Sequence, residues 1–245
     1  MKKYRVKGSV NKIESSGFVD GPGIRTVVFL NGCKLRCKYC QNPETWEMSK
    51  FNYSPSVLVK KILRNKAYFS RDNGGVTFSG GEPLLQSDFI IEVCKILKKN
   101  NIHVAIDTAG VGNGDYEEIL KYIDLVLLDV KHTDVYKYKQ LTGHEMNDVR
   151  DFIKALNKTD IDVWIRQVVV PGLTDTEKYI DSLVSYLKRI KNVKRVDFLP
   201  YHKLGDSKYI ELGIENPYKN KVPMDRVRCQ KLYDKFTSKY NKISE

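Results

Sequence analysis

From residue 26 onward the chain alternates short apolar runs with longer stretches in which apolar residues recur every three or four positions. The short runs, at 26–31, 75–79, 103–108, 125–130, 163–169 and 195–199, carry Val, Ile, Leu and Phe almost without interruption, the composition of strands covered on both faces. The stretches between them predict helices at 56–69, 86–100, 116–122, 147–157, 176–190 and 225–240. Strand and helix in alternation predict parallel strands joined by right-handed crossovers, with every helix outside. Six units of this kind suit an incomplete (β/α)6 barrel, TIM-like but not closed, better than the full eight-stranded form; a doubly wound open sheet is the alternative.

Both architectures gather functional groups at the C-terminal ends of the strands. Polar and ionisable residues stand at those ends: Gly32-Cys33, Ser79-Gly80-Gly81-Glu82-Pro83, Asp107-Thr108-Ala109-Gly110, Asp129-Val130-Lys131-His132, Pro171-Gly172 and Pro200-Tyr201-His202. One shared site is the implication. The chain reads as a single domain, with a lead-in at 1–25, the partial barrel at 26–205 and a C-terminal extension with a helix at 206–245. Residues 13–25 read as irregular, with turn chemistry at Val19-Asp20-Gly21-Pro22-Gly23.

Three cysteines change the picture most. Cys33, Cys37 and Cys40 are separated by three and then two residues, and no fourth follows nearby. With five cysteines in 245 residues, chance gives that spacing about 4 times in 10,000 for each starting cysteine. A structural zinc site normally closes with four protein ligands, whereas three thiolates can hold an iron-sulfur cluster whose fourth iron stays open to a small molecule. The rivals are ordinary buried cysteines, which the neighbouring Lys34, Arg36 and Lys38 argue against, and a zinc ion completed by His103, His132, His144 or His202. Cys94 and Cys229 read as unpaired helical residues. The glycines of Ser79-Gly80-Gly81-Glu82 serve either to turn the chain or to let a small zwitterionic ligand approach the backbone.

Lys and Arg number 42 against 30 Asp and Glu, a net charge of +12. The basic residues are spread over helical faces rather than gathered in an aromatic-laced patch, so nucleic acid is not expected as a partner. A solvated surface, or long-range attraction of a small acidic protein, accounts for the charge as well. No run of some 18 apolar residues occurs, and the first eight residues lack the apolar core of a secretory signal, so a soluble, cytoplasmic protein with reduced thiols is expected.

Taken together, the Cys33, Cys37, Cys40 spacing, an aromatic Tyr39 before the last cysteine, and Gly80-Gly81-Glu82 resemble the radical S-adenosylmethionine superfamily. Segments 17–25, 42–46, 128–131, 164–172 and 199–205, among them Gly17-Phe18-Val19-Asp20-Gly21-Pro22-Gly23 and Leu128-Asp129-Val130-Lys131, narrow the resemblance to the activators of glycyl-radical enzymes, of the type that acts on pyruvate formate-lyase. The resemblance runs over nearly the whole chain. It implies a barrel of the radical SAM type, one 4Fe-4S cluster, and reductive cleavage of S-adenosylmethionine to methionine and a 5′-deoxyadenosyl radical that takes a hydrogen from a glycine of the partner enzyme. It implies cluster ligation, the catalytic centre, by Cys33, Cys37 and Cys40; contact of Tyr39, Cys40 and Gln41 with the adenosyl part; and reception of the amino group by the loop containing Gly81. Asp129, Val130 and Lys131 are implied to line the same pocket, and His202 to lie near the ribose or adenine. Asp107, Thr108 and Asp129 match a monovalent-cation site, while Asp20 and Arg166 match substrate-facing positions. A helix cap at Asp107 and Thr108, a turn role for Asp20 and an internal ion pair for Arg166 are the bland readings of the same residues. Gln41 departs from the histidine that the best-known members of the family carry next to the last cluster cysteine.

The implied partners are a glycyl-radical enzyme, most readily pyruvate formate-lyase, and a low-potential donor such as a flavodoxin or ferredoxin, with the chain itself a monomer and no membrane involved. An activator of another glycyl-radical enzyme is the nearest alternative, although no added cysteine-rich insert is present; a zinc-stabilised basic nucleic-acid-binding module is the alternative of another class.

Overall fold

The structure, a computed structural model, describes residues 6–69 and 73–244. The first five residues of the stretch inspected for a secretory signal, and of the lead-in, lie outside these. One seven-stranded sheet runs through the chain in sequence order: β1 (Val10–Gly17), β2 (Arg25–Leu30), β3 (Gly75–Gly80), β4 (His103–Thr108), β5 (Leu125–Asp129), β6 (Asp162–Val169) and β7 (Val193–Pro200). Strands β2 to β7 are parallel, as the alternating pattern predicts, and their ends fall within two residues of the predicted runs. The helices are α1 (Pro55–Leu63), α2 (Lys66–Phe69), α3 (Ser87–Lys98), α4 (Tyr116–Leu120), α5 (Val135–Thr142), α6 (Asn147–Leu156), α7 (Glu177–Leu187), α8 (Asp206–Glu211) and α9 (Arg226–Ser244).

Two expectations are corrected here. Residues 13–25 are not irregular throughout, because β1 pairs antiparallel with β2 and adds a seventh strand at the edge. Its mostly exposed polar sequence, Asn11 to Ser16, and two register shifts hide the period-two signal. Helices α5 and α8 have no counterpart among the predicted helices; both are short and polar, burying only Tyr138, Leu141 and Thr142 in the first and Tyr209 in the second.

The sheet curls. In a flat sheet, five strand spacings of about 4.8 Å would hold the residues after β2 roughly 24 Å from those after β7, yet Gln41 accepts a hydrogen bond from Gly205 N at 2.8 Å. Edges β1 and β7 do not pair with each other, so the barrel stays incomplete. The outward face of the sheet and the helices form the main core, including Val28, Leu30, Val76, Phe78, Val104, Ile106, Val126, Leu128 and Ile165. The inward row follows from the two-residue period. Ala105, Leu127 and Trp164 make a small apolar layer inside, and two positions further along the same row stand Asp107, Asp129 and Arg166. Polar groups thus occupy the C-terminal half of the interior because the alternation puts them there.

Below, Arg25 closes the floor. It is completely buried, donates to Thr77 Oγ1 at 3.0 Å and to the Val76 carbonyl at 2.5 Å, and meets His103 Nδ1 at 3.1 Å.

Candidate active site

The three cysteines lie on the loop that leaves β2, and that loop has no regular structure of its own between Leu30 and the 3-10 turn at Pro43–Thr45. Its shape is supplied by neighbours. Arg36 N and Lys38 N donate to the carbonyls of Thr142 (2.7 Å) and Leu141 (3.0 Å), which are orphan acceptors at the C-terminal end of α5. Gly143, at φ 72°, ends that helix in the left-handed conformation, with its N–H on the Lys139 carbonyl. The basic character of the loop fits this seat, since cations are favoured at a helix C-terminus. Arg36 also donates to the Cys33 carbonyl at 2.6 Å and to Glu47 at 2.7 Å, and Lys34 Nζ donates to the Gly112 carbonyl at 2.6 Å.

Cys33, Cys37 and Cys40 open into one cavity at the mouth of the barrel. Burial pushes the Cys33 and Cys37 thiols up to about 12, the nearby charge of Glu82 adding to the effect at Cys33 and Lys131 working against it at Cys37; burial raises Cys40 as well. Thiols held this way are not nucleophiles at neutral pH, and they ionise readily only on a metal. Among the described residues, no three His, Cys, Asp or Glu side chains converge closely enough to hold a single ion. A tetrahedral zinc demands that convergence, whereas a cluster spreads its cysteines over separate irons. Of the four histidines, His202 alone lines the cavity. His103 meets Arg25 on the floor, His132 is buried with its Nδ1 accepting from Asp134 N at 3.0 Å, and His144 meets Asp148. Three thiols around one cavity fit the three-point hold of an iron-sulfur cluster.

The turn after β3 carries Glu82, which is 1% exposed and joins the ends of two strands. Its carboxylate accepts from Thr108 Oγ1 (2.5 Å), Ala109 N (2.9 Å) and Leu84 N (3.1 Å). Burial raises it to about 7, against these hydrogen bonds. Gly81 has a packing reason to be glycine, since a Cβ there would lie 2.3 Å from the Gly32 carbonyl oxygen. The N–H groups of Gly81 and Glu82 are engaged by the carbonyls of Leu30 and Gly32.

Across the cavity, the Lys131 ammonium lies 2.7 Å from Asp129 and over the Tyr39 ring at 5.7 Å. Burial works against its charge, and Asp129, Tyr39 and Cys37 together outweigh that effect, leaving Lys131 well above the ordinary lysine range. Arg166 forms an ion pair with Asp107 at 2.9 Å, lies 3.7 Å from Asp20 and donates to the Val19 carbonyl. Asp107 also accepts from Ser79 Oγ at 2.8 Å, while its Oδ1 is buried without a hydrogen-bond partner. Burial raises Asp107, with Arg166 opposing.

Tyr39, Gln41, Gly81, Asp107, Thr108, Asp129, Lys131, Arg166 and His202 line the same cavity as the cysteines. Val130 does not: the strand alternation that turns Asp129 and Lys131 inward sends it to the opposite face, into the core. Asp20 also lies outside the lining, tucked beneath Arg166, and its main-chain carbonyl accepts from Thr77 Oγ1 at 2.6 Å. Arg166 is thus engaged in the internal ion pair that was the bland reading of it. The cavity takes in residues not singled out in the sequence, among them Asn42, Trp46, Glu82 and Tyr201. All four lie in stretches already marked, Asn42 and Trp46 in segment 42–46, Glu82 in the Gly-Gly-Glu turn and Tyr201 at the end of a strand.

A family model described as the Radical SAM superfamily matches residues 27–183. The chain belongs to the radical SAM superfamily and is a radical SAM enzyme. The pyruvate formate-lyase-activating enzyme of Clostridium pasteurianum is 51% identical over 228 residues, covering 93% of this chain and 96% of that protein. The enzyme of the same name from Streptococcus mutans is 41% identical over 239 residues, covering 93% and 90%. Within the superfamily, these relatives place the chain in the family of pyruvate formate-lyase-activating enzymes. Two solved structures share the fold: a radical SAM methyltransferase from Sphaerobacter thermophilus (TM-score 0.62, 15% identity, 87% of this chain and 64% of that one) and a domain of a pyruvate-formate lyase-activating enzyme from Bacteroides vulgatus (TM-score 0.55, 23% identity, 69% and 95%). Membership implies a 4Fe-4S cluster and S-adenosylmethionine. No helix among the described residues is long and apolar enough to cross a membrane.

Proposed function

We propose that the chain activates pyruvate formate-lyase by placing a radical on one of its glycines, and that Cys33, Cys37 and Cys40 hold the cluster that makes this possible. The single observation behind the assignment of the cluster is the set of three free thiols, Cys37 buried and Cys33 and Cys40 half-buried, opening into one cavity. When bound, the cluster supplies the electron that splits S-adenosylmethionine into methionine and a 5′-deoxyadenosyl radical, which takes the glycine hydrogen. Cysteine-ligated clusters reach the low potentials, down to roughly −700 mV, that such a cleavage needs.

The protein's part is positioning and exclusion of other hydrogen donors. With the N–H groups of Gly81 and Glu82 already engaged and the Glu82 carbonyl taken by Leu85 N, an ammonium such as the amino group of the methionyl part would be received by carbonyl oxygens earlier in that turn. Tyr39 and Gln41 would flank the adenosyl part and His202 the ribose or adenine. Asp107 and Asp129 balance Arg166 and Lys131 one for one. The unpartnered Asp107 Oδ1, with Thr108 and Asp129, offers oxygen ligands to a hard monovalent cation beside the cofactor carboxylate. Arg166, with Asp20 behind it, would face the glycine-bearing segment. The net charge of +12 favours an acidic electron donor of the flavodoxin or ferredoxin kind.

The test is an anaerobic mixture of reconstituted protein, reductant, S-adenosylmethionine and purified pyruvate formate-lyase, followed by electron paramagnetic resonance. A glycyl-radical signal is expected with the wild type and none with Cys37→Ala. A wild type that binds no iron, or a Cys37→Ala protein of full activity, overturns the assignment.

A further inference from the structure

The segment that follows Cys40 is gripped from the far end of the chain. Lys208 Nζ, on α8, donates to the Gln41 carbonyl (2.8 Å), to Asn42 Oδ1 (2.9 Å) and to Glu44 Oε1 (2.6 Å). Beside it, the Tyr209 hydroxyl donates to the Cys40 carbonyl at 3.1 Å, with its ring edge-on to Trp46. Gln41 completes the grip from the other side: its amide donates to the His202 carbonyl at 3.1 Å and accepts from Gly205 N at 2.8 Å. All three donors of the Lys208 ammonium are therefore used on one four-residue segment. Within that segment, Asn42 N donates to Cys40 Sγ at 3.4 Å.

We propose that Lys208 is a positioning residue that sets the reduction potential of the cluster by fixing the Asn42 N–H on the Cys40 sulfur. The inference rests on the assignment of Cys40 as a cluster ligand. Hydrogen bonds to cluster sulfurs raise the potential, because they stabilise the more negative, reduced state. Lys208 holds the peptide of Asn42 from both sides, through the Gln41 carbonyl that is part of it and through the Asn42 side chain. Releasing the three contacts frees that peptide to rotate, weakening the N–H to sulfur bond. The reduced cluster then loses more stabilisation than the oxidised one. Gln41 serves the same grip through groups that do not titrate.

The experiment is a redox titration of the reconstituted holoenzyme, followed by electron paramagnetic resonance and made without S-adenosylmethionine. Lys208→Met is expected to carry the same iron per chain as the wild type and to have a lower midpoint potential; Lys208→Arg, which keeps the cation, should restore at least half of the difference. Lys235→Met, at a surface ion pair with Glu177 on another face, should leave the potential unchanged. If Lys208→Met fails to fold, Glu44→Gln, which weakens one of the three contacts, must show a smaller shift in the same direction. A potential in Lys208→Met, or in its substitute, equal to that of the wild type overturns the proposal while leaving the assigned function intact. A wild type that takes up no cluster sinks both.

Discussion

Two regions face each other across the cavity and are built in opposite ways. Asp107, Asp129 and Arg166 stand on β4, β5 and β6, where the ladder pairs Asp129 with Arg166 and the two-residue period turns all three inward. Their positions follow from strand register, to which the loop between β1 and β2 adds the Val19 carbonyl and Asp20 at Arg166. The cysteine loop has no ladder. Its N–H groups rest on the end of α5, its carbonyls on Arg36, Lys208 and Tyr209, and one of its sulfurs on the N–H of Asn42. Precision is intrinsic to the first region and borrowed in the second. Damage should therefore read out differently: loss of a strand-borne charge lowers stability, while loss of a loop contact alters local order with little change in stability.

The strongest way to break the comparison is Arg166→Leu. Removing one partner of a largely buried ion pair leaves an uncompensated charge, at a cost of about 3–5 kcal/mol, and here both Asp107 and Asp20 lose their counter-ion. A fall of that size is expected in the unfolding free energy of the cluster-free protein, read as a lower urea midpoint with the slope unchanged. Adding Asp107→Asn should recover a good part of it. A loss under about 1 kcal/mol, the range of exposed pairs, would mean that the interior is wet and that register alone does not hold the pair.

The same division decides what could be read in advance. The six parallel strands were legible because each is a near-continuous apolar run, and the cavity residues on them because polar side chains stand at strand ends. The cysteines were legible through spacing. What supports them was not. The α5 sequence Val135–Thr142 buries only Tyr138, Leu141 and Thr142, too weak a stripe to stand out from a polar loop, although it is the platform on which the cysteine loop sits. Lys208 is more than 160 residues from its partners, and no local pattern marks a lysine that will use all three donors. The inward or outward sense of Val130 was a matter of counting by twos from Asp129, which the resemblance, carrying over three consecutive residues as one lining, passed over.

Glu82 sharpens the contrast through pH. Its carboxyl ionises near 4.5 in an unfolded chain and at about 7 when folded, because burial raises it. A folded state that keeps its proton longer than the unfolded one is favoured at low pH. The contribution is fully present below about pH 4.5 and is lost as the pH rises through about 7, in all roughly 3 kcal/mol at 1.36 kcal/mol per unit of pH. Glu82→Gln does not titrate, and its amide would set a donor against Ala109 N–H, costing about 1–3 kcal/mol. Urea denaturation of cluster-free protein at pH 5 and pH 7 should show the wild type ahead at pH 5 and its lead shrinking at pH 7. A lead that grows with pH would assign the opposite shift to this carboxyl.

Lys34→Met tests the borrowed side, with the smallest expected effect. Lys34 Nζ spends one donor on the Gly112 carbonyl and lies 3.9 Å from Asp148, and its side chain is 38% exposed. A half-exposed lysine contributes about 0.5–1 kcal/mol through one such hydrogen bond, little of it from the distant carboxylate. Global stability should therefore barely move. The loop is another matter, because local opening is governed by the few contacts that hold a segment down rather than by the core. Amide hydrogen exchange of residues 33–36 should quicken several-fold in the variant while β4 and β5 exchange as in the wild type. Equal exchange in the loop would show that the end of α5 alone seats it; faster exchange throughout the sheet would show that loop and strands open as one unit, and the division between intrinsic and borrowed order would fall.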